Sequence, residues 1–222
     1  MSYLLHCIVE RNPDEPPPER GVRMVAANGL AAVVSCVEDA GAAPGVAALV
    51  AYEKVVEAIH ARMPVVPLRY GCLMESESAI VRLLEDRCQE YKALLGRFRG
   101  MTEMAIRVLC PACAGSLPGS SLPPGAAYLA ALRTRYSCGD SLAPEETRMA
   151  DRIAGALCGC YGEQRREASP AEPGRLVSLY FLTPRSCIER FRDQSRHIRL
   201  PSGVKSMVSG PWPPYNFAGF AG

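Results

Sequence analysis

Two cysteine pairs are the stretches in this chain whose spacing is suited to chemistry: Cys110-Pro111-Ala112-Cys113 and Cys158-Gly159-Cys160. C-x-x-C is the spacing of a redox dithiol or of half a zinc site. A redox pair of that kind opens a helix. Here the pair follows a strand-like run and precedes Gly115, Pro118 and Gly119, which make a loop. The second pair would complete a four-thiolate zinc set. It lies near the end of a predicted helix, whereas zinc sites usually take their second pair from a tight turn. The alternative is incidental cysteine, which behaves as a small hydrophobe inside strands and helices. The ten cysteines are scattered, and a secreted disulfide framework would be shorter and poorer in aliphatic residues. No metal ligand is assigned.

The three histidines, His6, His60 and His197, fall in different predicted elements, so no pair suits a metal. His6 sits in an apolar strand as a core or edge residue. His60 is near a helix end, where partial positive charge is favoured. A nucleophile needs a base placed beside it, and no such pairing or nucleophile elbow is visible. Residues 185–205 hold Arg185, Arg190, Arg192, Arg196, Arg199 and Lys205 against Glu189 and Asp193. That excess suits nucleic acid if exposed aromatics accompany it, and a solvated helix face otherwise. The net charge of +2 over 222 residues argues for the solvated face. No catalytic residue and no cofactor is expected.

The elements that would position these residues read as α+β in both halves. Residues 3–9 form a buried strand, and Arg11 to Arg20 a Pro/Glu-rich loop. Val22–Ala27, Asn28-Gly29 and Leu30–Val37 make a hairpin, because Asn-Gly accepts the positive φ angles of a type I′ turn. After a loop at residues 40–45, Val46, Leu49, Val50, Val56 and Ile59 recur at helical spacing until Pro64. Val65 to Gly71 is a strand running into a turn. Ser76 or Ser78 caps one long helix whose stripe is Ile80, Leu83, Leu84, Cys88, Tyr91, Leu94, Leu95 and Phe98, closed by Gly100.

Glu103–Leu109 is a strand that opens a second domain. Residues 110–125 are a loop, Ala126–Arg135 a short helix, and Pro144 begins another. Glu167 to Gly174 is a loop and Arg175–Leu182 a strand. Thr183-Pro184 caps a helix carrying Cys187, Ile188 and Phe191. Gly203–Ser209 is the last strand. The predicted domains are 1–100, 101–209 and a terminal arm, 210–222.

That arm, Gly210-Pro211-Trp212-Pro213-Pro214-Tyr215-Asn216-Phe217, holds the only Trp, three Pro and two further aromatics. Proline excludes helix and central strand, so an extended segment carries the aromatics. Aromatic side chains anchor packed interfaces. The arm is therefore a strap onto its own chain or a hook for a partner, with the strap favoured. If the Trp212 indole is buried between the two halves, Trp212→Ala should cost about 3 kcal/mol or more. Arg69, between a buried strand and a turn, is expected to bond backbone carbonyls or a carboxylate, or to be a buried anchor at an inter-domain or partner surface.

Hydrophobic residues are 48% and charged residues 22% of the chain, enough for a real core. No apolar run reaches the ~18 residues of a membrane span. The first residues lack a basic n-region, so a cytoplasmic location is expected.

Three stretches in order carry a family resemblance: Val66-Pro67-Leu68-Arg69-Tyr70-Gly71, Glu103-Met104-Ala105-Ile106-Arg107-Val108-Leu109, and Gly210 to Phe217. Together they resemble the gas vesicle protein F/L family (GvpF and GvpL), over essentially the whole chain. Tyr52-Glu53-Lys54-Val55-Val56 is similar to the family's first-helix motif, with Tyr52 where His is common. Tyr70-Gly71-Cys72 stands where the family more often has Phe-Gly-Thr. The resemblance implies a mixed α+β N-terminal domain and a C-terminal domain like a modified ferredoxin fold. It implies a non-enzymatic accessory or minor structural protein of gas vesicles, in contact with the hydrophobic shell protein GvpA and assisting assembly, with neither nucleic acid nor membrane as partner. Arg69, Tyr70, Trp212, Tyr215 and Phe217 are the structural or partner-contact candidates. The rival is a cytosolic adaptor that binds zinc or nucleic acid through the cysteine pairs and the basic stretch.

Overall fold

The computed structural model describes residues 2–11, 21–37, 45–111, 142–171 and 174–219. The chain divides into two compact units. One takes residues up to Glu103 and from Pro211 onward, and the other spans Met104–Gly210. The predicted helix at Ala126–Arg135, the loops at 12–20 and 40–44, and Cys113 lie outside the described residues.

The first unit is built on β1 (Ser2–Glu10), whose apolar run is buried on both faces. It pairs antiparallel with β3 (Leu30–Val37) on one side and with β4 (Val66–Pro67) and β5 (Leu73–Met74) on the other. β2 (Arg23–Ala27) pairs with β3 through a two-residue turn. Asn28 and Gly29 there have φ of 51° and 79°, the left-handed pair that a type I′ turn demands. One face of the sheet is covered by α1 (Val46–Arg62), whose Tyr52, Val56 and Ile59 pack with Leu4, Cys7, Val9, Ala31 and Val33. Strand alternation sends Leu30, Ala32 and Val34 to the opposite face. There α2 (Glu77–Asp86) and α3 (Cys88–Phe98) bury Ile80, Leu84, Tyr91, Leu95 and Phe98.

The Ser76 hydroxyl accepts from the Ala79 N–H at 3.2 Å and caps α2, as its sequence position suggests. The single helix expected from the apolar stripe is bent at Arg87, whose φ and ψ are −107° and 19°. The backbone ladder still runs through it, from the Arg87 N–H to Leu83 O and from the Tyr91 N–H to Arg87 O. Arg87 also grips Glu90 with two nitrogens at 2.8 and 2.6 Å. The stripe stays on one side across the bend, so periodicity alone cannot reveal it.

The second unit follows the order β6 (Met101–Pro111), α4 (Pro144–Ala156), β7 (Glu163–Ala171), β8 (Gly174–Pro184), α5 (Ile188–Arg196) and β9 (Lys205–Trp212). The sheet order is β7-β8-β6-β9, which is the β-α-β-β-α-β arrangement of ferredoxin-like folds. Met104, Ile106 and Val108 of β6 and Val177, Leu179 and Phe181 of β8 meet Met149 and Ile153 of α4 and Phe191 of α5 in one core.

Two expectations change here. Residues 167–171 belong to strand β7, not to a loop. β7 is an edge strand with the sequence EQRREASPA, and only Ala168 is buried. Its more covered face carries Gln164 and Arg166 before Ala168, so there is no apolar alternation to read, and it tolerates Pro170 because an edge strand has one row of amides outside the ladder. Pro184 ends β8 and precedes a 3-10 turn at Arg185–Cys187, so it is not the first residue of a helix.

Candidate functional site

The Val66–Gly71 motif, the first-helix motif and the terminal arm meet around β1. The ladder between β1 and β3 slips by one residue between Leu5 and Cys7. His6 is the extra residue of a β-bulge, and bulges leave ladder groups unpaired. Tyr52 of α1 answers this. Its hydroxyl lies 2.7 Å from Leu68 O, 2.9 Å from Leu5 O and 3.2 Å from His6 O. Burial pushes the phenol up, which keeps it a proton donor. The His6 ring stacks on Tyr52 at 4.6 Å, and Tyr70 meets Tyr52 edge-on at 5.2 Å. Tyr52→Phe removes a hydroxyl that faces three buried carbonyls, of which His6 O also accepts from the Leu68 N–H. It is expected to lower unfolding free energy by about 1–3 kcal/mol, measured by urea unfolding, and an unchanged midpoint would contradict this assignment.

Tyr70 is thus a half-buried member of this aromatic cluster. Arg69 is exposed, and its guanidinium makes no hydrogen bond or ion pair with any described residue. The expected bond from Arg69 to a backbone carbonyl or a carboxylate is therefore not made among the described residues, and its alternative as a partner-surface residue is untouched by this. Its neighbours Leu68 and Cys72 make the backbone bonds that hold this segment, to His6 O and Arg69 O, so the turn has no need of the side chain.

The arm is seated within the first unit. The Trp212 carbonyl accepts from the Thr102 hydroxyl at 2.9 Å. Thr102 Oγ1 in turn faces His60 Nε2 at 3.4 Å, and because the hydroxyl donates to Trp212, this contact has His60 as the donor. The Tyr215 hydroxyl donates to Glu53 of α1 at 3.1 Å. Burial pushes both the Tyr215 phenol and the Glu53 carboxyl up. The Asn216 N–H and side-chain amide clamp the two oxygens of buried Glu103 at 2.9 and 2.7 Å. Arg97 donates to Phe217 O at 3.3 Å. Pro213, Pro214 and Ala218 are buried, and Phe217 is 0% exposed.

Trp212 does not follow the expectation set for it. It is 40% exposed, since it lies in β9, an edge strand with open faces. Phe217 is the buried anchor of the arm. The contacts that settle this, Glu103 with Asn216 and Thr102 with Trp212, span more than a hundred residues and leave no local signature.

Apolar surface remains open elsewhere. The first turns of α1 expose Val46, Leu49 and Val50, Val46 to 77%. Residues 46–51 contain no charged residue and are all exposed. Gly45 supplies no side-chain cap to this helix. In β9, Met207 and Val208 are exposed.

For the cysteine motif, Cys110 is half-buried at the end of β6 and Cys113 lies outside the described residues. Among the described residues, no group of three His, Cys, Asp or Glu is arranged to hold a metal ion. In the basic stretch, Arg192 is tied to Glu189 at 2.9 Å and to Gly210 O at 3.0 Å. Arg190, Arg196 and Arg199 are exposed.

A family model described as gas vesicle synthesis protein GvpL/GvpF matches residues 2–219. Comparison with curated proteins finds no match. Two crystal structures share the fold: gas vesicle protein GvpF from Anabaena sp. PCC7120, at 18% identity, and GvpF from Microcystis aeruginosa, at 17%. Each has a TM-score of 0.69; the first match covers 100% of this chain and 99% of the other, and the second 99% of both. At these identities the likeness is one of fold, and the family assignment rests on the nearly complete match to the family model. This chain belongs to the gas vesicle synthesis protein GvpL/GvpF family.

Proposed function

We propose that this protein is a non-enzymatic accessory or minor structural protein of gas vesicles, acting in the cytoplasm, that binds the hydrophobic shell protein GvpA and assists vesicle assembly. The observation that carries the reading, beyond family membership, is the uncharged and exposed start of α1 at residues 46–51. A shell subunit with a large apolar face aggregates in water unless covered. A protein that covers it needs apolar surface without charge, since a charge buried at an interface without a partner is costly. The zinc reading draws no support from the described cysteines. The nucleic-acid reading is weakened by the pairing of Arg192 and the near-neutral chain.

The test is co-purification of tagged full-length chain with the shell protein. The wild type should retain it. The double variant Leu49→Asp, Val50→Asp should retain about tenfold less, corresponding to roughly 1.4 kcal/mol. Both positions are exposed, so thermal unfolding should move little. Absence of wild-type retention, with normal vesicle yield after deletion of the gene, would reject the function. Equal retention by the variant would reject this surface.

A further inference from the structure

We propose that Cys158 and Cys160 form a dithiol that closes to a disulfide by exchange with low-molecular-weight disulfides, with Cys158 as the entry thiol. The pair sits on the turn after α4. The Cys160 N–H bonds to Leu157 O at 3.0 Å, and Gly159 between the cysteines has φ of +81°. That left-handed residue and the backbone bond place the two cysteines on one tight turn.

The two thiols differ in surroundings. Cys158 is exposed, whereas Cys160 is buried, with its sulfur 2.8 Å from Gln194 Oε1 of α5. A Cβ added at Gly159 would lie 3.7 Å from an Arg190 guanidinium nitrogen, so a cation stands over the turn. Burial pushes the Cys160 thiol up, and Arg190 partly offsets this. The arrangement is an open thiol for first attack and a sheltered one held in reserve.

In the first step the Cys158 thiolate attacks one sulfur of the small disulfide. A mixed disulfide forms and one small thiolate leaves. Cys160 then loses its proton, gives up Gln194 and attacks the Cys158 sulfur. The protein disulfide forms and the second small thiolate leaves. The small disulfide is reduced by two electrons and the dithiol is oxidised by two. Closure therefore detaches this turn from its hydrogen bond to α5.

The probe is oxidised glutathione, applied anaerobically to the full chain, followed by acid quenching, alkylation and tryptic mass mapping. Both cysteines fall in the peptide Ile153–Arg165, which holds no other Cys. Closure should appear as that peptide lacking about 2 Da and resisting alkylation. Cys158→Ser, an exposed substitution, should abolish closure. Cys160→Ser should instead trap glutathione on Cys158, raising the mixed disulfide about tenfold. Cys36 is exposed on β3 and provides the control for unresolved adducts. The inference fails if wild-type Cys158 stays as a glutathione adduct, if both thiols alkylate fully, or if Ile153–Arg165 is linked instead to Ser186–Arg190, which carries Cys187.

Discussion

Phe217→Ala is expected to lower the free energy of unfolding by about 3–5 kcal/mol, the usual cost of emptying a phenylalanine site in a core. The side chain is 0% exposed, and it lies between Asn216, clamped on Glu103, and Ala218, itself buried. These contacts keep the arm from collapsing into the vacated volume, which places the expected cost in the upper part of that range. Trp212→Ala should cost roughly 1 kcal/mol, because an indole 40% exposed gives up less burial and leaves no closed cavity. The ranking is thus opposite to what side-chain size suggests. Urea unfolding of the full chain measures both. Trp212 is the only tryptophan, so its fluorescence in Phe217→Ala also reports whether the arm leaves its seat before the rest unfolds. Two units need not unfold in one step, and the loss should fall on the transition that tryptophan reports. A Phe217→Ala midpoint at or above that of Trp212→Ala would show that the arm is not anchored by this ring.

Features with a local physical cause were legible in the chain. Asn28-Gly29 forces its turn, Ser76 caps α2, and Pro144 occupies the first turn of α4 because each acts on its own neighbours. The missed features depend on partners distant in sequence. β7 is polar because it is an edge, and no residue in EQRREASPA says that β8 lies beside it. His6 looks like any strand residue, since a bulge is a property of two strands in register. Tyr52 departs from the family pattern, but its role appears only with the carbonyls of the bulge and of Leu68 that surround its hydroxyl. The arm was legible as extended and aromatic. Its anchor was not, because tryptophan draws attention by rarity, while burial of Phe217 is decided by Arg97, Thr102 and Glu103 more than a hundred residues earlier.

The bulge gives the second large effect, which depends on pH. His6 is buried, its Nε2 is 2.7 Å from Ser35 Oγ, and its Nδ1 has no hydrogen-bond partner. Burial lowers its pKa from 6.5 to about 4. The groups against it do not offset a charge. Burial pushes the Tyr52 phenol and the Cys7 thiol up, so both stay neutral in acid. Glu53 follows Tyr52 on α1, and burial raises its carboxyl, so it too becomes neutral early as pH falls. A histidine with a depressed folded-state pKa favours the native state in its neutral form. Its contribution is complete above pH 6.5 and is lost as pH falls toward 4, because only the unfolded chain takes up the proton there. At about 1.4 kcal/mol per pH unit, the loss across that window is on the order of 3 kcal/mol. His6→Gln keeps a neutral polar side chain that does not titrate, so its stability should be flatter between pH 7 and 4 by about that amount. The readout is urea midpoints for both proteins at half-unit pH steps, in which carboxylate effects common to both cancel. Parallel curves would mean that His6 is protonated in the folded protein at acid pH, and that the bulge admits a charge its surroundings here give no means to hold.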